Sequence, residues 1–131
     1  MNAPFPSYLA PIPAVADVIQ AGARAEARGW VPATAGNFSV RIDAAQIAIT
    51  RSGVDKGELM PDDIFIQNLG APLRPGSSAE AGLHVRLYRD HPEIGAIFHV
   101  HSHGAVVVSR AHADEGAVRI EGWELQKASG A

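Results

Sequence analysis

Cysteine is absent from this 131-residue chain, and aromatic residues make up only 6% of it. Without thiols the chain cannot form disulfides, use a cysteine nucleophile or build a cysteine-ligated zinc site. It also lacks any apolar run near the ~20 residues that a membrane-spanning helix needs. Its first residues show neither the basic nor the apolar region of a signal peptide. We therefore expect a cytoplasmic protein with no membrane partner.

Positive charge is not concentrated anywhere in the sequence. The chain has 11 basic and 14 acidic residues, which gives a net charge of -3, and the two signs are interspersed, so no nucleic-acid partner is expected. Apolar residues make up 47%, which argues against disorder and, at this length, indicates one domain with one core. We expect a single domain over residues 1–131, with residues 1–11 as an N-terminal arm. Its C-terminal part is predicted to be missing, because the last expected helix begins just before the sequence stops.

Hydrophobic periodicity predicts one helix and three strands in the first half of the chain. Apolar or small residues recur at three- and four-residue steps between residues 14 and 28, as on the buried face of a helix. Strands are predicted where apolar and polar residues alternate or where a short apolar run occurs, at residues 38–42, 46–50 and 63–68. The short turn between the first two strands indicates a hairpin.

The second half of the chain begins with a helix predicted over residues 79–89. Ser78 is its expected N-cap, and its expected apolar face consists of Leu83, Leu87 and Tyr88. Residues 94–100 are almost wholly apolar and predict a central buried strand. The remaining expected elements are a helix over residues 105–110, a short strand over residues 118–120 and the start of a helix at residues 121–127.

Histidine is plentiful, and four of the six histidines occupy positions 91, 99, 101 and 103. His99 and His101 lie at the end of the predicted buried strand, where alternate side chains point to the same face. Two adjacent imidazoles have a geometry that can chelate zinc. The alternative is a pair of hydrogen-bonded core histidines. His103 is interpreted as not being a ligand, because Gly104 and the following helix end the strand.

Short segments of small polar residues follow or join the predicted elements. Their exposed backbone N–H groups can hold a phosphate, and the candidates are Gly36-Asn37, Ser52-Gly53 and Ser78. Each segment alone could equally be an ordinary turn. Lys56 could add a positive charge to this anion site, although an exposed, solvated lysine is the simpler interpretation.

Two carboxylates are candidates for acid/base chemistry. Glu80 opens the second predicted helix, where it could act as a base beside a metal or simply stabilise the helix dipole. Glu124 follows Trp123, and a carboxylate beside a bulky aromatic can have its pKa raised by desolvation, which suits a proton shuttle. The alternative for Glu124 is a solvated position at the start of a helix.

Taken together, four segments resemble the class II aldolase/adducin family in both content and order. They are Thr34-Ala35-Gly36-Asn37-Phe38-Ser39-Val40-Arg41, Ile49-Thr50-Arg51-Ser52-Gly53, Ser78-Ala79-Glu80 with His84, and Gly95-Ala96-Ile97-Phe98-His99-Val100-His101-Ser102. The resemblance implies an α/β/α three-layer fold with a mostly antiparallel central sheet. It also implies a homotetramer with sites at subunit interfaces and one Zn²⁺ per subunit, held by His99, His101 and a third histidine beyond Ala131.

Residues 28–37 and 121–127 are most similar to the branch of the family that acts in methionine salvage. This branch removes water from 5-methylthioribulose 1-phosphate, and the resemblance implies that Glu124 supplies its acid/base carboxylate. Two alternatives stay open. One is a class II sugar-phosphate aldolase or epimerase with Glu80 as the principal base. The other is a non-catalytic module like adducin, against which the intact histidine pair argues.

Overall fold

A computed structural model describes residues 11–119 of the chain. The chain consists of two compact units, which are Met1–His101 and Ser102–Ala131. The described part of the first unit has two α-helices and four strands: α1 (Pro13–Ala27), β1 (Asn37–Arg41), β2 (Gln46–Thr50), β3 (Ile64–Asn68), α2 (Ala81–Asp90) and β4 (Ala96–His99). Short 3-10 turns at Lys56–Glu58 and Pro61–Asp63 connect β2 to β3. The described part of the second unit has α3 (His103–Ala111) and a 3-10 turn at Ala113–Glu115.

The four strands form one antiparallel sheet in the order β3-β2-β1-β4. The predicted hairpin between β1 and β2 is confirmed, with Ser39 opposite Ile49. The prediction of a central buried strand at residues 94–100 is wrong. Among the described residues, β4 pairs only with β1, and Phe98 at its middle is 50% exposed. An apolar run therefore marked an edge strand here: Phe98 stays half exposed, although Phe38, its neighbour on the same face of the sheet, is fully buried beneath α1.

Two helices cover opposite faces of the sheet, because strand side chains alternate between faces. Helix α1 packs against one face through a core that includes Phe38, Ala48 and Ile64. Helix α2 packs against the other face through a separate core that includes Ile47, Ile49 and Tyr88. The predicted α/β/α arrangement with an antiparallel sheet is thus confirmed.

Helix α1 follows its prediction closely, with Ala14, Val15, Val18, Gly22 and Ala25 buried along one face. Gly22 is placed against the Lys56–Glu58 turn, and a Cβ on it would come 2.1 Å from the carbonyl oxygen of Lys56. Only glycine permits this close approach. The contact holds the backbone of the turn that carries Lys56 against the helix.

Helix α2 begins at Ala81, two residues later than expected, and the predicted N-cap Ser78 is wrong. Glu80 is the capping residue and makes no side-chain cap hydrogen bond. The hydroxyl of Ser78 instead donates to the Glu80 carboxylate, 2.7 Å away. The buried face is also shifted from the prediction, since Leu83 is 59% exposed and the buried residues are Ala81, His84, Val85 and Tyr88.

The second unit begins at Ser102, whose side chain accepts a hydrogen bond from the Ala105 backbone N–H at the N-terminus of α3. The helix begins two residues earlier than predicted and places His103 at its first position, in agreement with the interpretation that the strand has ended. Residues 118 and 119 are not in a strand, contrary to expectation. Residue 120 and the predicted helix at residues 121–127 lie outside the described residues. None of the helices in residues 11–119 is long and apolar enough to cross a membrane.

Candidate active site

A cleft of about 330 Å³ lies at the end of the sheet where β1 begins and β4 ends. Nine of the ten predicted site residues line it: Gly36, Asn37, Ser52, Gly53, Lys56, Ser78, Glu80, His99 and His101. The tenth, Glu124, lies outside the described residues. The structure therefore brings together segments that are up to 65 positions apart in the sequence, as the residues Gly36 and His101 show. Their individual roles stay predictions.

Sheet pairing and backbone hydrogen bonds determine how these segments meet. Asn37 opens β1 and is directly opposite His99 at the end of β4. The loop after β2 is joined to the segment before α2 by a hydrogen bond from the Ser52 backbone N–H to the Gly76 carbonyl, 2.9 Å long. The Gly36-Asn37 and Ser52-Gly53 segments and the predicted metal strand are thus connected by the hydrogen bonds of one sheet and its loops.

The two histidines have adjacent imidazole rings, as the strand geometry predicts. The ring centroids of His99 and His101 are 4.8 Å apart with an interplanar angle of 33°. His101 is fixed beyond the strand by its backbone N–H, which donates to the Trp30 carbonyl at 2.7 Å. Two imidazoles suit a divalent ion that prefers nitrogen ligands. In residues 11–119 no third histidine or carboxylate completes such a group.

Asn37 lies between the carboxylate and the histidine sides of the cleft. Its side-chain nitrogen lies 3.0 Å from Oε2 of Glu80, 3.1 Å from Nδ1 of His99 and 3.5 Å from the hydroxyl of Ser78. The residue is only 2% exposed. An amide nitrogen carries two hydrogens. One of them is donated to Glu80, and the direction of the contact with His99 depends on the tautomer of that ring.

Glu80 stays ionised at neutral pH. The hydrogen bond from the Ser78 hydroxyl is the main reason that the pKa of Glu80 lies below its usual value, and a backbone hydrogen bond contributes in the same direction. The carboxylate lies at the surface of the cleft, where it also accepts from Asn37. This arrangement holds a negative charge beside His99.

Lys56 is buried, so the interpretation of it as an exposed, solvated lysine is wrong. Only 2% of the residue is exposed, and its ammonium group donates to the carbonyls of Thr34 at 2.8 Å and Val54 at 2.7 Å. Burial lowers its pKa, while Asp55 and Glu80 oppose this effect. An ammonium has three donors, so a third hydrogen is left for another acceptor in the cleft.

The Gly36-Asn37 segment has a backbone that requires glycine. Gly36 has a φ of +85°, and a Cβ at this position would come 2.6 Å from the carbonyl oxygen of His99. The loop therefore passes directly over the end of β4. A close backbone of this kind can present N–H groups to an anion.

His84 is a buried site residue to which the sequence analysis gave no role. Its Nε2 lies 2.5 Å from Oδ1 of Asn37, and its Nδ1 lies 2.6 Å from the hydroxyl of Ser39. Burial lowers the pKa of His84 to about 4, so the ring is neutral at physiological pH. The sequence carried a usable signal, because Glu80, His84 and Tyr88 are spaced four apart and so share one side of a helix.

The chain matches the family described as Class II Aldolase and Adducin N-terminal domain over residues 16–128. It belongs to the class II aldolase and adducin family. The resemblance given on its sequence segments is thus confirmed. Members of the class II aldolase and adducin family generally use a divalent metal ion.

The relatives of the chain within the class II aldolase and adducin family include two bacterial proteins named methylthioribulose-1-phosphate dehydratase. The protein from Bradyrhizobium sp. is 58% identical over 117 residues, which cover 89% of this chain and 54% of the relative. The protein from Stenotrophomonas maltophilia is 47% identical over 135 aligned residues, with coverages of 98% and 62%. The chain thus spans little more than half the length of the curated relatives it matches.

A solved structure of the family supports the fold. The L-fuculose-1-phosphate aldolase from Thermus thermophilus superimposes with a TM-score of 0.66 at 37% identity, covering 73% of this chain and 50% of that chain. This aldolase and the two relatives above carry different activities in their names. The class II aldolase and adducin fold is therefore shared, and the choice between activities depends on the residues of the cleft.

Proposed function

We propose that this chain belongs to a hydro-lyase of methionine salvage that converts 5-methylthioribulose 1-phosphate into 2,3-diketo-5-methylthiopentyl 1-phosphate and water. One observation carries the proposal: nine of the ten predicted site residues line a single cleft. Its support from relatives is the 58% identity to a protein named methylthioribulose-1-phosphate dehydratase. The substrate is a small sugar phosphate, and the proposed assembly is a cytoplasmic homotetramer.

The phosphate of the substrate is proposed to bind at the end of the cleft that Lys56 approaches. Backbone N–H groups of Gly36 and Gly53 and the hydroxyl of Ser52 would donate to it, and the side chains of Asn37 and Ser78 would line the same end of the cleft. Lys56 supports this assignment because its ammonium group is buried and has one donor left after its two carbonyl contacts. A bound anion would restore the charge stabilisation that burial removes.

His99 and His101 are proposed to hold one Zn²⁺ per subunit, with a third ligand from the protein outside the described residues. The two adjacent imidazoles fit the nitrogen preference of zinc. When bound, such an ion polarises a carbonyl as a Lewis acid and stabilises developing negative charge. The ionised Glu80 is proposed as a second catalytic carboxylate, held next to this position by Ser78 and Asn37.

Glu124 is proposed to move the proton during dehydration. It takes the proton from C3, the C4–O bond breaks, and the leaving hydroxyl departs with a proton as water. The resulting enol then loses the proton of its C3 hydroxyl, takes a proton at C4 and becomes the 2,3-diketone. The substrate loses one water in total, and no oxidant or reductant is needed.

Substitution of the two carboxylates in the full-length protein tests the assignment. Glu124→Gln keeps its shape but cannot accept a proton, so we expect kcat to fall about 10²- to 10⁴-fold with zinc content unchanged. Diketone formation and zinc content are measured on the same preparations, with Glu80→Gln as the matched variant. Near-normal turnover in Glu124→Gln, together with an inactive Glu80→Gln that retains zinc, would reject the role of Glu124.

A class II sugar-phosphate aldolase or epimerase is the second candidate. The observations that favour it are the 37% identity to L-fuculose-1-phosphate aldolase and the Glu80 carboxylate at the mouth of the cleft. In this case Glu80 is the principal base. Product analysis separates aldol cleavage from dehydration, because cleavage gives two carbon fragments and dehydration gives one product and water.

A further inference from the structure

We propose that His84 is a positioning residue that fixes the direction of the Asn37 side-chain amide in the cleft. The hydrogen-bond assignment stands on the geometry of the described residues alone. Only its effect on turnover rests on the function proposed above. His84 thus acts through Asn37: it does not line the cleft, but it determines which atoms of the Asn37 amide face the cleft.

The hydrogen-bond partners of His84 allow only one ring tautomer. Oδ1 of Asn37 can only accept, so Nε2 of His84, 2.5 Å away, must carry the hydrogen. The Nδ1 atom of the neutral ring is then an acceptor and takes the hydrogen of the Ser39 hydroxyl at 2.6 Å. The low pKa of the buried ring agrees with a neutral imidazole. The donors therefore point in one direction, from Ser39 through His84 to Asn37.

The far end of this chain of hydrogen bonds is anchored to the sheet. The oxygen of Ser39 lies 2.9 Å from the hydroxyl of Tyr88. Because the single hydrogen of the Ser39 hydroxyl is donated to His84, the Tyr88 hydroxyl is the donor in this contact. The guanidinium of Arg41 lies 4.9 Å from the centre of the Tyr88 ring and donates to the Tyr88 carbonyl at 2.9 Å. Tyr88 is therefore held in place, and the series of hydrogen-bond donors begins at its hydroxyl.

Reversal of the Asn37 amide is unfavourable at both of its ends. It would place Oδ1 against the Glu80 carboxylate, where the amide nitrogen now lies 3.0 Å from Oε2, and two acceptors repel each other. It would also turn the amide hydrogens towards Nε2 of His84 and force the ring to change tautomer. Asn37 and His84 are each 2% exposed and Ser39 is fully buried, so water cannot compensate for the lost hydrogen bonds.

The consequence for the cleft is that the amide nitrogen of Asn37 is held towards Glu80 and beside His99. This one group connects the carboxylate to the first histidine of the pair. If the amide could turn, the two edges of the cleft would lose their common partner. A displaced active-site group typically costs up to about 100-fold in rate.

The first test measures the tautomer in this chain without substrate. Nitrogen NMR of histidine-labelled wild type distinguishes the ring nitrogen that carries a hydrogen, and we expect His84 to be in the Nε2–H form and to stay neutral from about pH 5 to about pH 8. We also expect His84→Leu to shift the Asn37 side-chain NH₂ signals and His84→Gln to shift them less, since Gln can donate to Asn37. An Nδ1–H tautomer, or unchanged Asn37 signals in His84→Leu, would overturn the proposal.

The second test asks whether His84 acts through Asn37. In the full-length protein, we expect His84→Leu to lower kcat/KM about 10- to 100-fold and His84→Gln to restore most of it. In an Asn37→Ala background, His84→Leu should cause no further loss. The proposal is wrong if Gln and Leu are equivalent at position 84, or if the loss is undiminished without Asn37. If the protein has another activity, the tautomer and NH₂ signals still decide the assignment.

Discussion

The two faces of strand β1 are both buried, yet they are built from opposite kinds of residues. Phe38 and Val40 point towards α1, where Phe38 belongs to the apolar core and Val40 packs against it. Asn37, Ser39 and Arg41 point towards α2, and every one of them is hydrogen-bonded to it or to its flanking residues. Burial alone therefore does not separate the scaffold from the site. The two faces differ in how their groups are satisfied, by apolar packing on the α1 face and by hydrogen bonds on the α2 face.

The difference between the faces has an energetic counterpart. The α1 face stabilises the fold in proportion to the apolar area it removes from water. The α2 face adds little net stability, because each of its hydrogen bonds replaces one to water, but a broken bond leaves a buried group unsatisfied. In residues 11–119 no buried side-chain nitrogen or oxygen lacks a partner. The polar face is thus complete, and it is sensitive to any single change.

Truncation of the apolar face should have the largest effect. Phe38 is fully buried and meets Phe98 edge-on, with ring centroids 5.5 Å apart. We expect Phe38→Ala to lower the free energy of unfolding by about 3–5 kcal/mol, measured by urea denaturation. Ser39→Ala on the opposite face is the matched control and should cost about 1–3 kcal/mol, since it leaves Nδ1 of His84 without a donor. Equal losses would remove the distinction between the two faces.

Acid should weaken the polar face selectively. Folding lowers the pKa of His84 from 6.5 to about 4 because the ring is buried. Above pH 6.5 the ring is neutral in both states, but between pH 6.5 and pH 4 only the unfolded chain takes up the proton, so stability falls as pH falls. The loss amounts to about 3 kcal/mol.

The free energy of unfolding of His84→Gln, measured in parallel across this range, isolates this contribution. Glutamine does not titrate, so the variant lacks the contribution of position 84 while it keeps every other ionisable group. The difference between wild type and variant should change by about 3 kcal/mol between neutral pH and pH 4. A constant difference would mean that folding does not shift the pKa of His84.

The smallest effect is expected on the outer side of α2. Leu83 is 59% exposed, whereas Val85 on the same helix is 9% exposed. We expect Leu83→Ala to change the free energy of unfolding by no more than about 0.5 kcal/mol and Val85→Ala to cost about 2 kcal/mol. Thermal unfolding of both variants provides the measurement. If Leu83→Ala loses as much unfolding free energy as Val85→Ala, Leu83 belongs to the buried face, as its sequence pattern predicts.

Much of the fold and of the site could be predicted because local pattern and tertiary structure agree there. The five residues Gln46–Thr50 form the strand that their alternation predicts, and α1 buries the face that its periodicity indicates. The histidine pair follows from the alternation of strand side chains, which continues to His101 after β4 ends. In each case the nearest neighbours in the sequence decide the structure.

The errors arise where a distant neighbour decides instead. Leu83 belongs to an apolar pattern, but β1 presents polar side chains to α2, and the helix turns His84 towards them. The sequence pattern predicts a solvated side chain for Lys56. The side chain is buried instead, because its ammonium group donates to the carbonyls of Thr34 and Val54. The run at residues 94–100 indicates burial, but its position in the sheet depends on which strands pair with it.

Gly36 limits how this sequence can change. The loop that ends at Gly36 and the strand end at His99 are close enough that a single added carbon at position 36 would meet the His99 carbonyl at 2.6 Å. Positions 36 and 99 are thus not independent, and a larger residue at position 36 becomes acceptable only if the strand end moves away and takes its histidine with it. A search for new specificities by mutagenesis should therefore leave this loop backbone intact. It can vary instead the side chains that point into the cleft, where a change need not displace the frame.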